Sequence, residues 1–319
     1  MQKMTLKHTT ITRRFVEEHH DNCTECLCHF SSGETTHLGY TNSRKLVYVG
    51  DCCSKILKET IIRHSYQKRQ YTIPSDQTTL WRFMDFTKFV SLLKSNSLFF
   101  TRADKFSDPF EGAKGLLKNK KKWDKHYLDF FIRACSNLPN GVKSDKSEKE
   151  ILKDAKRLLG QLDNIGPSQL KETFINCWHE NNHESEAMWK LYTSSLDQGI
   201  AIKTNYKKLY ASLGKNPSIH IGRISYIDFS NNFAGINDSF WFKRKSFEHE
   251  KEVRAIFHDH DSKSELGKFI QVDLNILIDQ IYVSPTSQNW FKELVEDVLS
   301  KYNLKKKIGE SSMNEKPFH

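Results

Sequence analysis

Residues 243–254 read KRKSFEHEKEVR, and residues 253–257, which overlap the end of this stretch, form the mostly apolar sequence VRAIF. That apolar stretch predicts a buried strand. Side chains alternate between the two faces of a strand, so a strand that includes Glu250 places Glu250, Glu252 and Arg254 on one face. Arg254 is then positioned to pair with one carboxylate and leave the other free. The same pattern is also typical of an exposed row of ion pairs, and this alternative stays open.

Helical and strand-like segments are mixed along the rest of the large region. Strand patterns occur at residues 79–83, 98–101, 174–178, 200–203, 223–226, 269–272 and 280–283. Apolar residues recur at helical spacing in residues 85–95, 114–135, 143–162, 185–194 and 290–302. The two kinds of segment follow no regular strand–helix rhythm. We therefore expect an α+β domain with a mixed sheet rather than a doubly wound parallel sheet.

Composition divides the chain into four parts. A length of 319 residues is typical of about two domains. Residues 1–69 hold most of the cysteines and read as a small domain, and residues 70–79 read as a polar linker. Residues 80–307 read as the α+β domain. Residues 308–319 show no periodicity and read as a flexible tail.

The overall composition excludes a disordered chain and a membrane-spanning one. Hydrophobic residues make up 37% of the chain, with 21 Phe and 6 Trp, which is enough to form a core. The apolar runs are far shorter than the roughly 20 residues that a membrane helix needs. The first residues contain no apolar signal-peptide core. We therefore expect a cytoplasmic protein that does not associate with a membrane.

Basic residues exceed acidic ones by 49 to 39, which gives a formal net charge of +10. Lysines cluster at residues 114–125, where Trp123 is interleaved, and again at residues 301–307. Such patches can follow a phosphate backbone, but most lysine runs are solvated helix faces. The charge therefore permits a nucleic-acid partner without identifying one.

Five of the seven cysteines lie between residues 23 and 53, and their spacing indicates a small metal site. The pair Cys23-x2-Cys26 presents two thiolates to one tetrahedral ion, and Cys52-Cys53 supplies further sulfur. In a reducing compartment, clustered thiols favour a metal over a disulfide. The alternative interpretation is a set of free or redox-active thiols.

The stretch between these cysteines predicts a hairpin, with strands at residues 35–38 and 46–49. Its end, VGDCC at residues 49–53, resembles the end of a treble-clef zinc knuckle, in which a glycine leads from the hairpin into a helix. The resemblance implies Cys53 as the ligand in the first turn of that helix, beside Cys23 and Cys26. We expect one structural Zn²⁺. Its fourth ligand stays open among Cys52, Cys28, His37 and His29.

Four groups of phrases occur in a set order in the large region. They are LWRF (80–83) with LFFT (98–101) and FSDPFE (106–111); INCW (175–178) with MWKLY (188–192) and GIAI (199–202); K-x3-F-x2-E-x-E-x-R (243–254); and IYVSP (281–285). In order and spacing they resemble a bacterial family, the domain-of-unknown-function 2971 family, over about two thirds of the chain. Trp178 stands where that family often has Phe, and Phe247 where it often has Trp.

The motif order of that family is similar to the order in ADP-ribosyltransferases, so the resemblance implies their mixed α+β fold and NAD⁺ as substrate. By this analogy Arg82 holds nicotinamide-side or phosphate oxygens, and Tyr192 stacks on the nicotinamide. The residues expected to be catalytic are Glu252, Glu250 and Tyr192. Those expected to bind the dinucleotide are Arg82, Arg102, Lys243, Arg254 and Trp189. An aromatic pair spaced three residues apart, such as Trp189 and Tyr192, is more often part of a core.

The chemistry agrees with this analogy, because a carboxylate that faces a ribosyl cation lowers the barrier to its formation. The resemblance implies an NAD-dependent ADP-ribosyltransferase that modifies nucleic acid or protein. It further implies a toxin or anti-phage effector, with a partner protein in such a system. The alternative is a non-catalytic module that binds or senses nucleic acid or protein.

Overall fold

The computed structural model describes residues 15–16, 22–28, 30, 33–65, 71–137, 144–193, 196–216, 218–235, 238–262 and 264–319. The chain forms two compact units, Met1–Gln70 and Tyr71–His319.

The first unit contains a three-stranded antiparallel sheet. Its strands are β1 (Thr35–Thr41), β2 (Leu46–Gly50) and β3 (Leu57–Ser65), in the order β2-β1-β3. The predicted hairpin is therefore confirmed. The helix expected after Gly50 is wrong, since a single 3₁₀ turn at Ser54–Ile56 leads directly into β3. The β-branched residues within β3 favour an extended chain over a helix.

A mixed nine-stranded sheet forms the centre of the second unit, and this confirms the mixed α/β class that the sequence predicts. Most of its pairs are antiparallel, and one pair is parallel. Two further short strands, β9 and β10, form a separate parallel pair. The strands of this unit are β4 (Thr79–Asp85), β5 (Ser97–Arg102), β6 (Thr173–Glu180), β7 (Gly199–Asn205), β8 (His220–Arg223), β9 (Ser225–Ile227), β10 (Phe242–Arg244), β11 (Glu252–His258), β12 (Gly267–Gln271), β13 (Gln280–Val283) and β14 (Ile308–Gly309).

Two of the predicted helices have different bounds from those expected. The segment predicted from residue 114 becomes helical only at Lys120, after a 3₁₀ turn at Leu117–Asn119. The next helix begins after a capping box at Ser147 and continues through Pro167. The helices are α1 (Phe86–Ser95), α2 (Lys120–Ser136), α3 (Glu148–Glu172), α4 (Glu186–Tyr192), α5 (Tyr206–Ser212), α6 (Leu274–Leu277) and α7 (Asn289–Lys301).

Strand β6 lies where the sheet divides. One edge of β6 pairs with β11 along its whole length. The other edge is shared, because β5 pairs with its first half at Phe174 and Ile175, whereas β4 pairs with its end at His179 and Glu180. The three residues between, 176–178, pair with neither β4 nor β5. The sheet therefore opens between β4 and β5.

Helix α1 covers one face of the sheet beside this opening. Its apolar residues Phe89, Leu92 and Leu93 are buried and follow the spacing of a one-sided amphipathic helix. They belong to a core that includes Phe174 and Trp178 of β6. A second cluster contains the aromatic residues Trp81, Phe83, Trp189 and Tyr282. Aromatic and aliphatic packing thus supports the sheet on both sides of the division.

Parts of the predicted linker and tail are packed into the second unit. Tyr71 stacks on Trp241 with ring centres 4.0 Å apart, and Thr72 bridges to Arg223. The expectation of a flexible tail is wrong for its first residues, because Ile308 pairs with β13 and Ser311 donates a hydrogen bond to Glu184 at 2.6 Å. None of the helices in the described part of the chain has the length and apolarity needed to cross a membrane.

Candidate active site and candidate metal centre

A cavity of about 500 Å³ lies at the division of the sheet, within the size range of small-molecule sites. Apolar and aromatic side chains from β4, β5, β6 and α1 form most of its wall. Polar groups enter it from α1, β4, β5, β6, α4, the start of β11 and the 3₁₀ helix before β11. The lining includes Trp81, Arg82, Phe83, Lys88, Leu98, Phe99, Thr101, Cys177, Trp178, His179, Met188, Tyr192, Glu250, Glu252 and Phe269.

Arg82 is the cation at the centre of this division. Its Nη1 atom donates to the carbonyl oxygen of Cys177 at 2.5 Å, in the part of β6 that pairs with neither β4 nor β5. Its guanidinium carbon lies 5.8 Å from the ring centre of Trp178. Burial lowers the pKa of Arg82, and within the described residues it forms no ion pair with a carboxylate. An anionic ligand in the cavity would supply that counter-charge.

The backbone around Glu250 differs from the sequence prediction. Glu250 ends a 3₁₀ helix, Lys245–Glu250, and strand β11 begins only at Glu252. Lys251, between them, has a φ of 39°, which breaks the extended alternation. The prediction that Glu250 and Glu252 lie on one strand face is therefore wrong. Their carboxylates still approach each other, because both accept hydrogen bonds from Lys243.

Arg254 lies below the cavity in a fully buried network. It binds Glu252 through two contacts, at 2.7 and 3.1 Å, as the sequence predicts. It also binds Glu111 at 2.6 and 3.2 Å and donates to the carbonyl oxygen of Phe240. These partners engage the guanidinium on all sides. Arg254 therefore stabilises the base of the site and has no free donors for a dinucleotide.

The charges of this network shift one another in a consistent way. Burial alone would raise the pKa of Glu252, but Arg254 and Lys243 lower that pKa to about 2. Burial would lower the pKa of Lys243, yet Glu252 and Glu250 raise it. Burial raises the pKa of Glu111 despite its bonds to Arg254. Glu252 is thus an ionised carboxylate whose oxygens are already engaged by two cations.

Glu250 is less completely engaged than Glu252. One oxygen accepts from Lys243 at 2.5 Å, and the other accepts from the Tyr192 hydroxyl at the longer distance of 3.3 Å. Tyr192 is 41% exposed and lines the cavity with Glu250. Burial of the phenol and the nearby carboxylate raise the pKa of Tyr192, so it remains a hydrogen-bond donor. Glu250 therefore presents the carboxylate with the most spare acceptor capacity to a ligand.

The structure brings four of the predicted site residues to one cavity, namely Arg82, Tyr192, Glu250 and Glu252. Lys243 and Arg254 contact the carboxylates from outside the lining. Arg102 and Trp189, which the resemblance assigns to dinucleotide binding, do not line this cavity. Arg102 is held by Asp104 through two contacts, at 2.7 and 2.9 Å, and its charge is used there. Trp189 is buried in the core, with its ring 4.9 Å from that of Phe83.

The sequence did not identify two polar residues of this region. Glu111 follows a turn capped by Asp108, and its contact with Arg254 spans 143 residues, which no local pattern predicts. His179 lies one residue past the predicted strand, and extending that strand by one residue would have placed it on the face of Cys177. Burial raises the pKa of Cys177 well above its usual value, so this thiol is not an activated nucleophile.

In the first unit, four cysteine sulfurs lie within 4.8 Å of one another: those of Cys23, Cys26, Cys28 and Cys52. Three of the Sγ–Sγ distances are 3.2, 3.6 and 3.4 Å. A tetrahedral zinc ion with Zn–S bonds of about 2.3 Å holds its sulfurs about 3.8 Å apart. A small outward movement of the thiols would therefore accommodate the ion, and the donor set fits Zn²⁺.

The composition of this group differs from the ligand set inferred from the treble-clef resemblance. Cys28 takes the place expected for Cys53, because a tight turn returns the chain so that the Cys23 amide donates to the Cys28 carbonyl at 2.9 Å. Cys53 lies beside the group, where hydrogen bonding to Cys26 raises its pKa to about 12. His37 instead contacts Asp51 at 3.1 Å. His29 lies outside the described residues.

Comparisons with known proteins give little further guidance. No protein-family model matches the chain, and none of the curated proteins matches it. Among solved structures, the chain is similar to DarT from Thermus sp. 2.9, determined in complex with ADP-ribosylated ssDNA. The two share 12% sequence identity, the match covers 76% of this chain and 96% of that chain, and the TM-score is 0.32. A likeness at this TM-score establishes neither the fold nor the function of the present chain.

Proposed function

We propose that the unit Tyr71–His319 is an NAD-dependent ADP-ribosyltransferase. The observation that carries this proposal is the pair of charged side chains that line one cavity. Arg82, which has no carboxylate partner among the described residues, and the Glu250 carboxylate both line it at the division of the sheet. A free cation and a partly free carboxylate in one apolar cavity suit a ligand that is anionic at one end and becomes cationic at its reacting carbon.

The proposed reaction breaks the bond between nicotinamide nitrogen and ribose carbon. The bonding electron pair leaves with nicotinamide, and positive charge develops on the ribosyl carbon and ring oxygen. The Glu250 carboxylate, which is itself buried, stabilises that charge. A nucleophilic oxygen or nitrogen of the acceptor then forms the new bond to the ribosyl carbon and releases its proton to solvent. Lys243 and Tyr192 hold Glu250 in place for this step.

The remaining lining suits the rest of the dinucleotide. Arg82 would bind the pyrophosphate, since a guanidinium presents several donors to phosphate oxygens. Aromatic side chains such as Phe83 and Phe99 offer flat apolar surfaces for the bases. Each of these roles follows from residue chemistry, and the resemblance to the domain-of-unknown-function 2971 family, which we propose as the family of this unit, points the same way.

We propose a nucleic acid as the acceptor. The net charge of +10 favours a polyanion. Lys118, in the 3₁₀ turn before α2, and Lys121, Lys122 and Lys125, at the start of α2, are exposed and could contact phosphates. A role as a toxin or anti-phage effector rests on the family resemblance alone. For the first unit we propose one structural Zn²⁺ bound by Cys23, Cys26, Cys28 and Cys52, which would stabilise a small and polar fold.

The test is incubation of the full chain with NAD labelled in the adenylate moiety and with total cell lysate. Glu250→Gln serves as the inactive variant and Glu248→Gln, an exposed neighbour, as the matched control. We expect label transfer by the wild type and by Glu248→Gln, and removal of the label by nuclease. Removal of the label by protease but not by nuclease would show that the acceptor is a protein rather than a nucleic acid. Equal labelling by Glu250→Gln and the wild type would contradict the proposed ADP-ribosyltransferase activity. So would the absence of both label transfer and nicotinamide release with the wild type. Either result would favour a non-catalytic binding module.

A further inference from the structure

His179 has a buried nitrogen atom without a hydrogen-bond partner. Only 3% of its surface is exposed, and it lies on β6 in register with Trp81 on one side and Glu252 on the other. Its Nε2 atom has no partner in the part of the chain that the structure describes. Buried polar atoms are rarely left in this condition, because an unmade hydrogen bond costs about 1–3 kcal/mol.

The other ring nitrogen determines the state of this imidazole. His179 Nδ1 lies 2.5 Å from the backbone carbonyl oxygen of Glu250. A carbonyl oxygen only accepts, so Nδ1 carries the proton and donates it to this bond. Burial lowers the pKa of His179, which favours the neutral ring. Nε2 is then an unprotonated acceptor, and it requires a donor.

No described residue supplies that donor. His179 lines the cavity together with Glu250, Phe83 and Trp81. The ring of Phe83 lies 6.2 Å from the imidazole and supplies no donor. The Trp81 indole nitrogen donates to the carbonyl oxygen of Asn181 at 2.8 Å and is engaged there. The unsatisfied acceptor therefore points to a hydroxyl or N–H group on the molecule that the cavity binds.

We propose that His179 Nε2 accepts a hydrogen bond from a hydroxyl group of the ribose that is attached to nicotinamide. This inference rests on the proposed function. The choice of that ribose follows from two observations: His179 Nδ1 contacts the Glu250 backbone, and His179 lines the same cavity as the Glu250 carboxylate, which we propose to face the ribosyl carbon. His179 thereby discriminates against nucleotides that lack the hydroxyl, since they leave the buried nitrogen unpaired.

Two substitutions separate this role from a structural one. His179→Asn places an amide near the Nδ1 position, which can keep the bond to the Glu250 carbonyl while the acceptor at Nε2 is lost. His179→Gln reaches the Nε2 position with its amide and can keep an acceptor there. As a control, thermal unfolding of both variants is measured to establish that each of them folds. The measured quantity is kcat/KM for nicotinamide release from NAD and from its 2′-deoxy and 3′-deoxy analogues at the nicotinamide ribose.

For each protein, the value for NAD is divided by the value for the analogue, and the intrinsic reactivity of the analogue cancels when proteins are compared. We expect this ratio to fall about tenfold or more in His179→Asn for one of the two analogues, and to stay near the wild-type value in His179→Gln. An unchanged ratio in His179→Asn for both analogues would overturn the inference and leave the proposed function intact. No nicotinamide release from NAD by the wild type would overturn both.

Discussion

Arg82 donates to the carbonyl oxygen of Cys177 at 2.5 Å, across the gap where the central sheet divides. Cys177 lies in the part of β6 that neither β4 nor β5 pairs with. The arginine thus satisfies a carbonyl group that the sheet itself leaves open, and within the described residues its other donors form no hydrogen bond. One side chain therefore connects the architecture of the sheet with the charge of the site.

Replacing this guanidinium should weaken NAD binding while the fold is retained. Arg82→Lys keeps the charge but loses the planar set of donors, so we expect an affinity reduced about tenfold or more, and a larger loss for Arg82→Gln. Isothermal titration calorimetry with NAD measures the change. Arg102→Lys is the matched control, because Arg102 is bound to Asp104 away from the cavity. Equal losses in both lysine variants would contradict the assignment of Arg82.

The buried network should be essential for stability. Arg254→Met leaves Glu111 and Glu252 without their main cation, and breaking a buried ion pair in this way costs about 3–5 kcal/mol. Chemical denaturation measures the free energy of unfolding. The control is Arg157→Met, which removes an exposed contact of 3.7 Å with Asp154 and should change stability by under about 1 kcal/mol. Similar values for the two variants would show that the network is not essential.

Stability should also fall at acid pH because of Glu252. Its pKa is about 2 in the folded chain, against 4.5 for the free side chain, so the folded state favours the ionised form. The resulting stabilisation, on the order of 3 kcal/mol, is complete above about pH 4.5 and is lost as the pH falls towards 2. Glu111 shifts the opposite way, mainly through its burial, and the charge of Glu252 adds to that shift, so Glu252→Gln alters it as well.

The difference in unfolding free energy between the wild type and Glu252→Gln contains the titration of Glu252 together with its effect on Glu111. We expect the difference to be largest near neutral pH and to shrink as the pH falls from about 4.5 to 2. Denaturation curves at pH 2, 3, 4, 5 and 7, a range that spans the pKa of about 2 in the folded chain and the ordinary value of 4.5, give this difference. A constant difference across the series would mean that the ion pairs do not hold Glu252 in its ionised form.

Metal binding should distinguish Cys28 from Cys53. Cys28 belongs to the group of four sulfurs, whereas Cys53 does not. We expect Cys28→Ser to lose bound zinc and Cys53→Ser to retain one ion per chain, as measured by elemental analysis of the purified proteins. Chelation should unfold the first unit of the wild type. Retention of zinc by Cys28→Ser together with its loss from Cys53→Ser would restore the treble-clef assignment.

Much of the fold follows from local pattern. Short apolar runs predict β4 and β6, and the spacing of Phe89, Leu92 and Leu93 predicts α1. The sequence places the start of α2 too early, at residue 114. Lysine has a high helix propensity, so the lysines at 118–122 favour a helix there, although they provide no apolar face to pack. Helix α3 extends past Pro167, where a local breaker signal is outweighed by packing of the helix.

The site was predictable to a lesser extent. Glu250, Glu252 and Arg254 carried a recognisable pattern, but a single residue with positive φ, Lys251, changed how the two carboxylates are presented. Glu111 and His179 owe their roles to contacts with Arg254 and with the Glu250 carbonyl. Such pairings bring together residues far apart in the chain, and only the assembled sheet determines them.

Nicotinamide release from NAD tests the central claim most directly. The wild type, Glu250→Gln and Glu248→Gln are compared at equal concentration, with released nicotinamide quantified by chromatography. The account predicts release by the wild type and by Glu248→Gln. For Glu250→Gln it predicts a rate reduced by at least about 10²-fold, because the variant loses the charge that faces the ribosyl cation. Equal rates in Glu250→Gln and the wild type, or no release by any of the three, would contradict it.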